Sequence, residues 1–132
     1  MTQHPHTSPP GIPRDALEQV NDPEWEIAPW TTQRLLRDEP GKWALIDCRR
    51  AEELALARVD GAPMFTLADM PAQFPEIQKF AGERRVVVMC HSGRRSLKAA
   101  MLLREAGFDG ALSMCGGIQR WSEEVDPRVP QY

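Results

Sequence analysis

Apolar residues along this chain come in two spacings. WALID at 43–47 and VVVMC at 86–90 are almost continuously apolar and of strand length, as strands covered on both faces should be. ALSM at 111–114, residues 25–28 and APMF at 62–65 read as shorter strands. LKAAMLLREAG, at 97–107, is instead amphipathic at helical spacing and stopped by Gly107. Pro29 and Thr31 or Thr32 open a helix that runs through Leu35 and Leu36 to the Pro40-Gly41 stop. AEELALA at 51–57 is a short helix, and GGIQRWSEEV at 116–125 a turn and a last helix. MPAQFPEIQKFAG, interrupted by Pro71 and Pro75, is expected to be a loop with one helical turn. Met101, Leu102 and Leu103 are expected in the core. The four tryptophans are expected to pack at element ends, and Arg84-Arg85 to form a solvated rim. Short apolar strands alternating with helices indicate an α/β fold with a mainly parallel sheet.

Residues 1–24 break this pattern. They carry Pro5, Pro9, Pro10, Pro13 and Pro23 with few large apolar groups, so a flexible Pro-rich tail is expected, followed by one domain over 25–132. His4 and His6 fall in that tail, as part of a polar segment rather than a metal site. A chain of 132 residues suits one domain. A net charge of -3 gives no reason to expect nucleic acid or an acidic membrane surface as partner. No apolar run approaches the ~20 residues of a membrane span, and MTQHPHTSPPGIPR has no apolar centre that would make it a secretory signal. Cys48, Cys90 and Cys115 are odd in number and outside CxxC spacing. That argues against a disulfide framework or closed zinc site and fits a reducing compartment, with cytoplasm as the expectation.

The chemistry gathers in CHSGRRS, residues 90–96, between the strongest strand and the strongest helix. In an open parallel sheet, reactive groups collect beyond the carboxyl ends of strands, where helix N-termini face them. Backbone N–H groups of residues 91–96 lack earlier helical carbonyls and are free to turn toward a ligand. Gly93 permits the backbone angle that closes such a loop. Arg95 adds a permanent positive charge. Cys90 in this setting is expected to have a lowered pKa and to be partly thiolate at neutral pH. A buried, idle cysteine would explain neither the glycine nor the two arginines. Protein tyrosine phosphatases place five residues between a comparable cysteine and arginine. Here four separate Cys90 from Arg95, a smaller cradle better fitted to one sulfur than to a phosphoryl group.

CHSGRRS resembles the active-site loop of single-domain rhodaneses, the thiosulfate sulfurtransferase-like family: Cys, two variable residues, Gly, one variable residue, Arg, Ser. IDCRRAEELALARVDGA at 46–62 is similar to the family segment in which Asp-x-Arg precedes an acidic short helix. MCGGIQRW at 114–121 is similar to the closing Gly-Gly-x-x-x-Trp, and EIAPWTTQRLL at 26–36 to the opening strand and helix. The resemblance implies a central, mainly parallel sheet of about five strands with helices on both faces. It implies Cys90 as the sulfur-accepting nucleophile and Arg95 as the loop's basic residue, with His91, Ser92, Gly93, Arg94 and Ser96 forming the cradle. Asp47 and Arg49 correspond to Asp-x-Arg and are read as organising the loop's neighbourhood. Ala57-Arg58-Val59 stands where Gly-His-Ile is common, and Leu54 where an aromatic is frequent.

The implied reaction is a double displacement through a Cys90 persulfide. Sulfur would pass from a small anionic donor such as thiosulfate to cyanide or a thiol, a protein thiol included, without metal or organic cofactor. A non-enzymatic binding module on the same fold is the first alternative and a cysteine-dependent phosphatase the second. Cys48 is expected to be buried and inert. Cys115, before Gly116-Gly117, either packs there or serves as a resolving thiol for Cys90.

Overall fold

The computed structural model describes residues 11–132. Its centre is a four-stranded, wholly parallel sheet in the order β1-β4-β3-β2. The strands are β1 (Glu26–Ile27), β2 (Trp43–Asp47), β3 (Arg85–Met89) and β4 (Leu112–Met114). Helices are α1 (Arg14–Leu17), α2 (Pro29–Asp38), α3 (Ala51–Leu56), α4 (Phe74–Ala81), α5 (Arg94–Glu105) and α6 (Gly117–Glu124), with a 3-10 helix over Leu67–Gln73.

Residues alternate sides along a strand, and both sides are covered. Ala44, Ile46, Val86 and Val88 pack on one face with Ile77 and Ala81 of α4 and Ala99, Ala100 and Leu103 of α5. Leu45, Val87, Met89, Leu112 and Met114 pack on the other with Ile118 and Trp121 of α6. The expectation of a doubly covered parallel sheet is met. About five strands were expected and four form. APMF contributes only a single parallel bridge, Met64 to Asp47, made by Asp47 N–H to Pro63 O (2.9 Å) and Phe65 N–H to Asp47 O (2.8 Å). Pro63 has no N–H to continue a ladder, and the chain turns at once into the 3-10 helix.

Three local expectations need correction. The segment 70–82 is not a loop, because Pro75 lies in the first turn of α4, where a missing N–H costs nothing and a fixed φ assists. Pro71 sits within the 3-10 helix. Of the α5 triad, Leu103 is fully buried but Met101 is exposed, since it falls on the outer side of the helix. Trp30 and Trp121 are core residues, with Trp25 and Trp43 partly buried against it. Arg85 donates to Gly110 O (2.6 Å) and Arg84 to Ala81 O (3.1 Å), so the expected rim is tied to backbone.

The N-terminal reading also meets structure. His4 and His6 lie outside the described residues. Within the expected tail, Arg14–Leu17 is helical and Leu17 is completely buried. Arg120 of α6 holds this turn, donating to Gln19 O (2.8 Å) and Ala16 O (3.0 Å) while pairing with Glu124 (2.9 Å). One apolar side chain in a proline-rich stretch carries too little periodicity to show in sequence. Among the described residues no helix is long and apolar enough to cross a membrane.

Leu17→Ala is expected to lower stability by about 2–5 kcal/mol, the usual cost of emptying a fully buried leucine site. Chemical denaturation measures this, and a change within error would mean that residues 14–17 only rest on the domain.

Candidate active site

The loop after β3 is shaped by two close approaches. Gly93 takes φ +106° as the N-cap of α5, and a Cβ there would lie 3.1 Å from Gly116 N. Gly117, at φ +60°, is tighter. A Cβ would stand 2.4 Å from His91 O and 2.5 Å from Cys90 O, distances no side chain tolerates. The start of α6 therefore seats directly on the loop. Ile118 N–H donates to Cys90 O (2.9 Å) and Gln119 N–H to His91 O (3.1 Å).

This arrangement turns Cys90 Sγ into the cup. Gly93 N–H lies 3.1 Å from Sγ and Ser96 N–H 3.3 Å. The Ser96 hydroxyl is 3.4 Å away and is itself 2.7 Å from the hydroxyl of Ser113 on β4. Cys48, immediately after β2, also hydrogen-bonds the sulfur. The Cys90 thiol is lowered to about 5, first by the Cys48 hydrogen bond, against burial, and then by the Ser96 hydroxyl and the two backbone N–H groups. This lowering favours the thiolate form of Cys90 at neutral pH. The same contact and burial push the Cys48 thiol up, so it keeps its proton.

Arg95 does something other than expected. Its guanidinium forms a two-pronged pair with Glu53 of α3, at 2.6 and 2.8 Å, instead of presenting unopposed charge. Glu53 is held down at about 2, chiefly by Arg95. Tyr132 donates its hydroxyl proton to Glu53 (2.9 Å) and accepts from Arg49 (2.9 Å). Arg49 is wholly buried, grips Asp47 at 2.7 Å, and donates to Ala57 O at 2.8 Å. Asp47 and Arg49, expected to organise the loop's neighbourhood, form a buried pair that reaches the Arg95–Glu53 pair through the Tyr132 hydroxyl.

The cradle residues divide. Gly93 and Ser96 supply donors to Sγ. His91 is half-buried and stacks its ring on Tyr132 at 4.3 Å, while Ser92 and Arg94 are exposed on the outer side of the loop. Cys115 lines a shallow surface cleft with Gln19, Asn21, Arg120 and Glu124. Three contributors went unnoticed in sequence: Glu53, Tyr132 and Ser113; Cys48, expected to be buried and inert, is buried but acts on the Cys90 sulfur. The signals available were a polar residue inside β4, for Ser113, and the acidic start of α3, for Glu53.

A family model described as a rhodanese-like domain matches residues 31–124. The chain belongs to this family. Similar proteins include the maize (Zea mays) adenylyltransferase and sulfurtransferase MOCS3-2, 35% identical over 101 residues that cover 74% of this chain and 21% of that protein. A sulfurtransferase of Allochromatium vinosum is 33% identical over 85 residues, covering 64% of this chain and 77% of the relative. The chain spans 21% to 30% of the length of the first curated relatives it matches. Among solved structures, a rhodanese-like domain protein from Staphylococcus aureus aligns with a TM-score of 0.68 at 21% identity, over 82% of this chain and 98% of that one. The human single-domain sulfurtransferase TSTD1 aligns at 0.62 and 24% identity, over 74% and 95% of the two chains. These two establish the rhodanese-like fold.

Ionisation of Cys90 should be visible as a midpoint near pH 5 in its alkylation rate, well below the ordinary 9.0. Because the folded pKa is the lower one, the linked stabilisation is complete above about pH 9 and lost as pH falls toward about 5. Ser96→Ala removes one donor to the thiolate and should move the alkylation midpoint upward. An unmoved midpoint would show that the hydroxyl does not bear on the thiolate.

Proposed function

We propose that this rhodanese-like domain is a sulfurtransferase that moves a sulfane sulfur through a persulfide on Cys90. The observation that carries the reading is the cup around Sγ: a sulfur with a pKa near 5, faced by the N–H groups of Gly93 and Ser96. In the first step the Cys90 thiolate attacks the outer sulfur of an anionic donor such as thiosulfate. The S–S bond of the donor breaks and its electron pair leaves on sulfite. The same donors then hold the charged persulfide, as an oxyanion hole holds developing charge. In the second step a thiol or cyanide attacks the outer sulfur, and the pair returns to Cys90.

Arg95 enters as the residue that fixes the loop. Its charge is answered by Glu53, which also disfavours a phosphatase role, since no free fork is left for phosphoryl oxygens. The exposed Arg94 is the loop cation left to meet an incoming anion. The carboxylates and guanidiniums around the loop otherwise balance pairwise.

Intact-mass measurement immediately after loading with thiosulfate should show the gain of one sulfur, mapped to Cys90. Cys90→Ser should gain none and lose turnover while its circular dichroism stays native. A variant that keeps most of its turnover would remove Cys90 as nucleophile, and a folded wild type that never gains sulfur would favour a binding module.

Arg95→Ala should depress transfer from anionic and uncharged donors by the same factor, because the lost contact is internal. The loss of a charged hydrogen-bonded pair is worth on the order of 1.5–3 kcal/mol. Steady-state kinetics with one donor of each kind decide this, and a selective loss of the anionic donor would return Arg95 to direct binding.

A further inference from the structure

Cys48 follows Asp47, Cys90 follows Met89, and Asp47 and Met89 are paired positions of β2 and β3. The strands are still in contact one residue later, where Cys48 N–H donates to Met89 O at 2.9 Å. Both thiols lie in one core cluster, in step with Ala44 and Ile46 on one strand and Val86 and Val88 on the other. Alternation therefore places them on the same side of the sheet. Neighbouring strands run about 4.8 Å apart, and a disulfide joins Cα atoms ~4.4–6.8 Å apart. Side-chain direction and backbone spacing both permit a bond. Cys48 is 1% exposed, shut away from external thiols but open to Cys90.

We propose that Cys48 is a resolving thiol that discharges a Cys90 persulfide when no external acceptor arrives. The inference rests on the persulfide reading above. Cys48 Sγ attacks Cys90 Sγ, the inner sulfur, and the bond between Cys90 Sγ and the sulfane sulfur breaks. The electron pair leaves on the sulfane sulfur, which departs as hydrosulfide with the proton Cys48 carried. Cys48 sulfur is oxidised and the sulfane sulfur reduced, so the persulfide itself supplies the oxidising equivalent. The product is a Cys48–Cys90 disulfide, inactive until an external dithiol exchanges with it. The domain thereby gains a second activity, one-turnover sulfide release that ends in self-closure. The structure gives this role to Cys48 rather than Cys115, because Cys48 shares the register and the core cluster of Cys90, whereas Cys115 lines a surface cleft.

Wild type, Cys48→Ser and Cys115→Ser proteins are loaded without oxygen, in parallel, with thiosulfate or inorganic polysulfide, and freed of excess reagent. Serine keeps a hydroxyl donor at position 48 but has no sulfur to bond. Wild type and Cys115→Ser are expected to lose the added sulfur, release an equivalent of sulfide, and yield a Cys48–Cys90 linked peptide on mapping. Cys48→Ser should retain its persulfide, with sulfide release lower by about tenfold or more. Equal persulfide lifetimes in wild type and Cys48→Ser, or a Cys90–Cys115 peptide, would overturn the proposal. Closure after polysulfide but no loading by thiosulfate would remove the donor reading and leave this one standing. If Cys48→Ser does not fold, sulfide release and the mapped disulfide in wild type decide the matter alone.

Discussion

The pairing of β2 with β3 is the constraint on which the other features depend. Its register, Trp43 with Arg85 through Asp47 with Met89, fixes which residues of both strands face α4 and α5 and which face α6. A slip of one residue would exchange those faces along a strand. It would also separate two consecutive functional groups. Asp47, Cys48 and Arg49 leave β2 at the level where Cys90 leaves β3. One ladder thus builds the core, sets a second thiol beside Cys90, and positions the buried Asp47–Arg49 pair at the end of β2.

Charge around the loop is organised in pairs, with a separate device for the thiolate. Asp47 answers Arg49, Glu53 answers Arg95, and Tyr132 joins the two pairs through one hydroxyl. Removing one member of a buried pair leaves the other stranded, which commonly costs ~3–5 kcal/mol, whereas the intact pair adds little net stability. These residues therefore impose a geometry more than they add strength. The thiolate is held by directed donors: two N–H groups at the start of α5, a serine hydroxyl and a thiol. The N-terminus of α5 favours negative charge at that place, because its unpaired N–H groups carry partial positive charge.

What the sequence made legible was local or repetitive. β2, β3 and the body of α5 follow from apolar spacing, and the turn at Gly93 follows from the only residue type at home at φ +106°. What it hid depended on pairing between distant segments. Glu53 stands 42 residues from Arg95, and nothing in AEEL distinguishes its second glutamate from its first. Cys48 looked like an ordinary end of an apolar strand, because its neighbour is fixed by register alone. Pro75 was misread since a proline that starts a helix and one that breaks it look alike without the phase of the surrounding turn. Gly116-Gly117 was visible as a turn, but the need for glycine at 117 comes from the carbonyls of Cys90 and His91, which only the folded chain supplies.

In the proposed transfer, the cup would act in opposite ways on the two displacements. A thiolate with a pKa near 5 is fully formed at neutral pH but is intrinsically a weaker nucleophile than one near 8, since nucleophilicity falls with basicity. The first displacement gains from ionisation and loses from this damping. The second displacement only gains, because Cys90 is then the leaving group and a less basic thiolate departs faster. The hydrogen bonds that set this value are made to sulfur by fixed backbone and buried side chains, so they need no rearrangement between steps. Under the proposed mechanism such a cup would favour handing sulfur on over holding it. In that proposal the sulfur would stay only until an outside acceptor or Cys48 reached it.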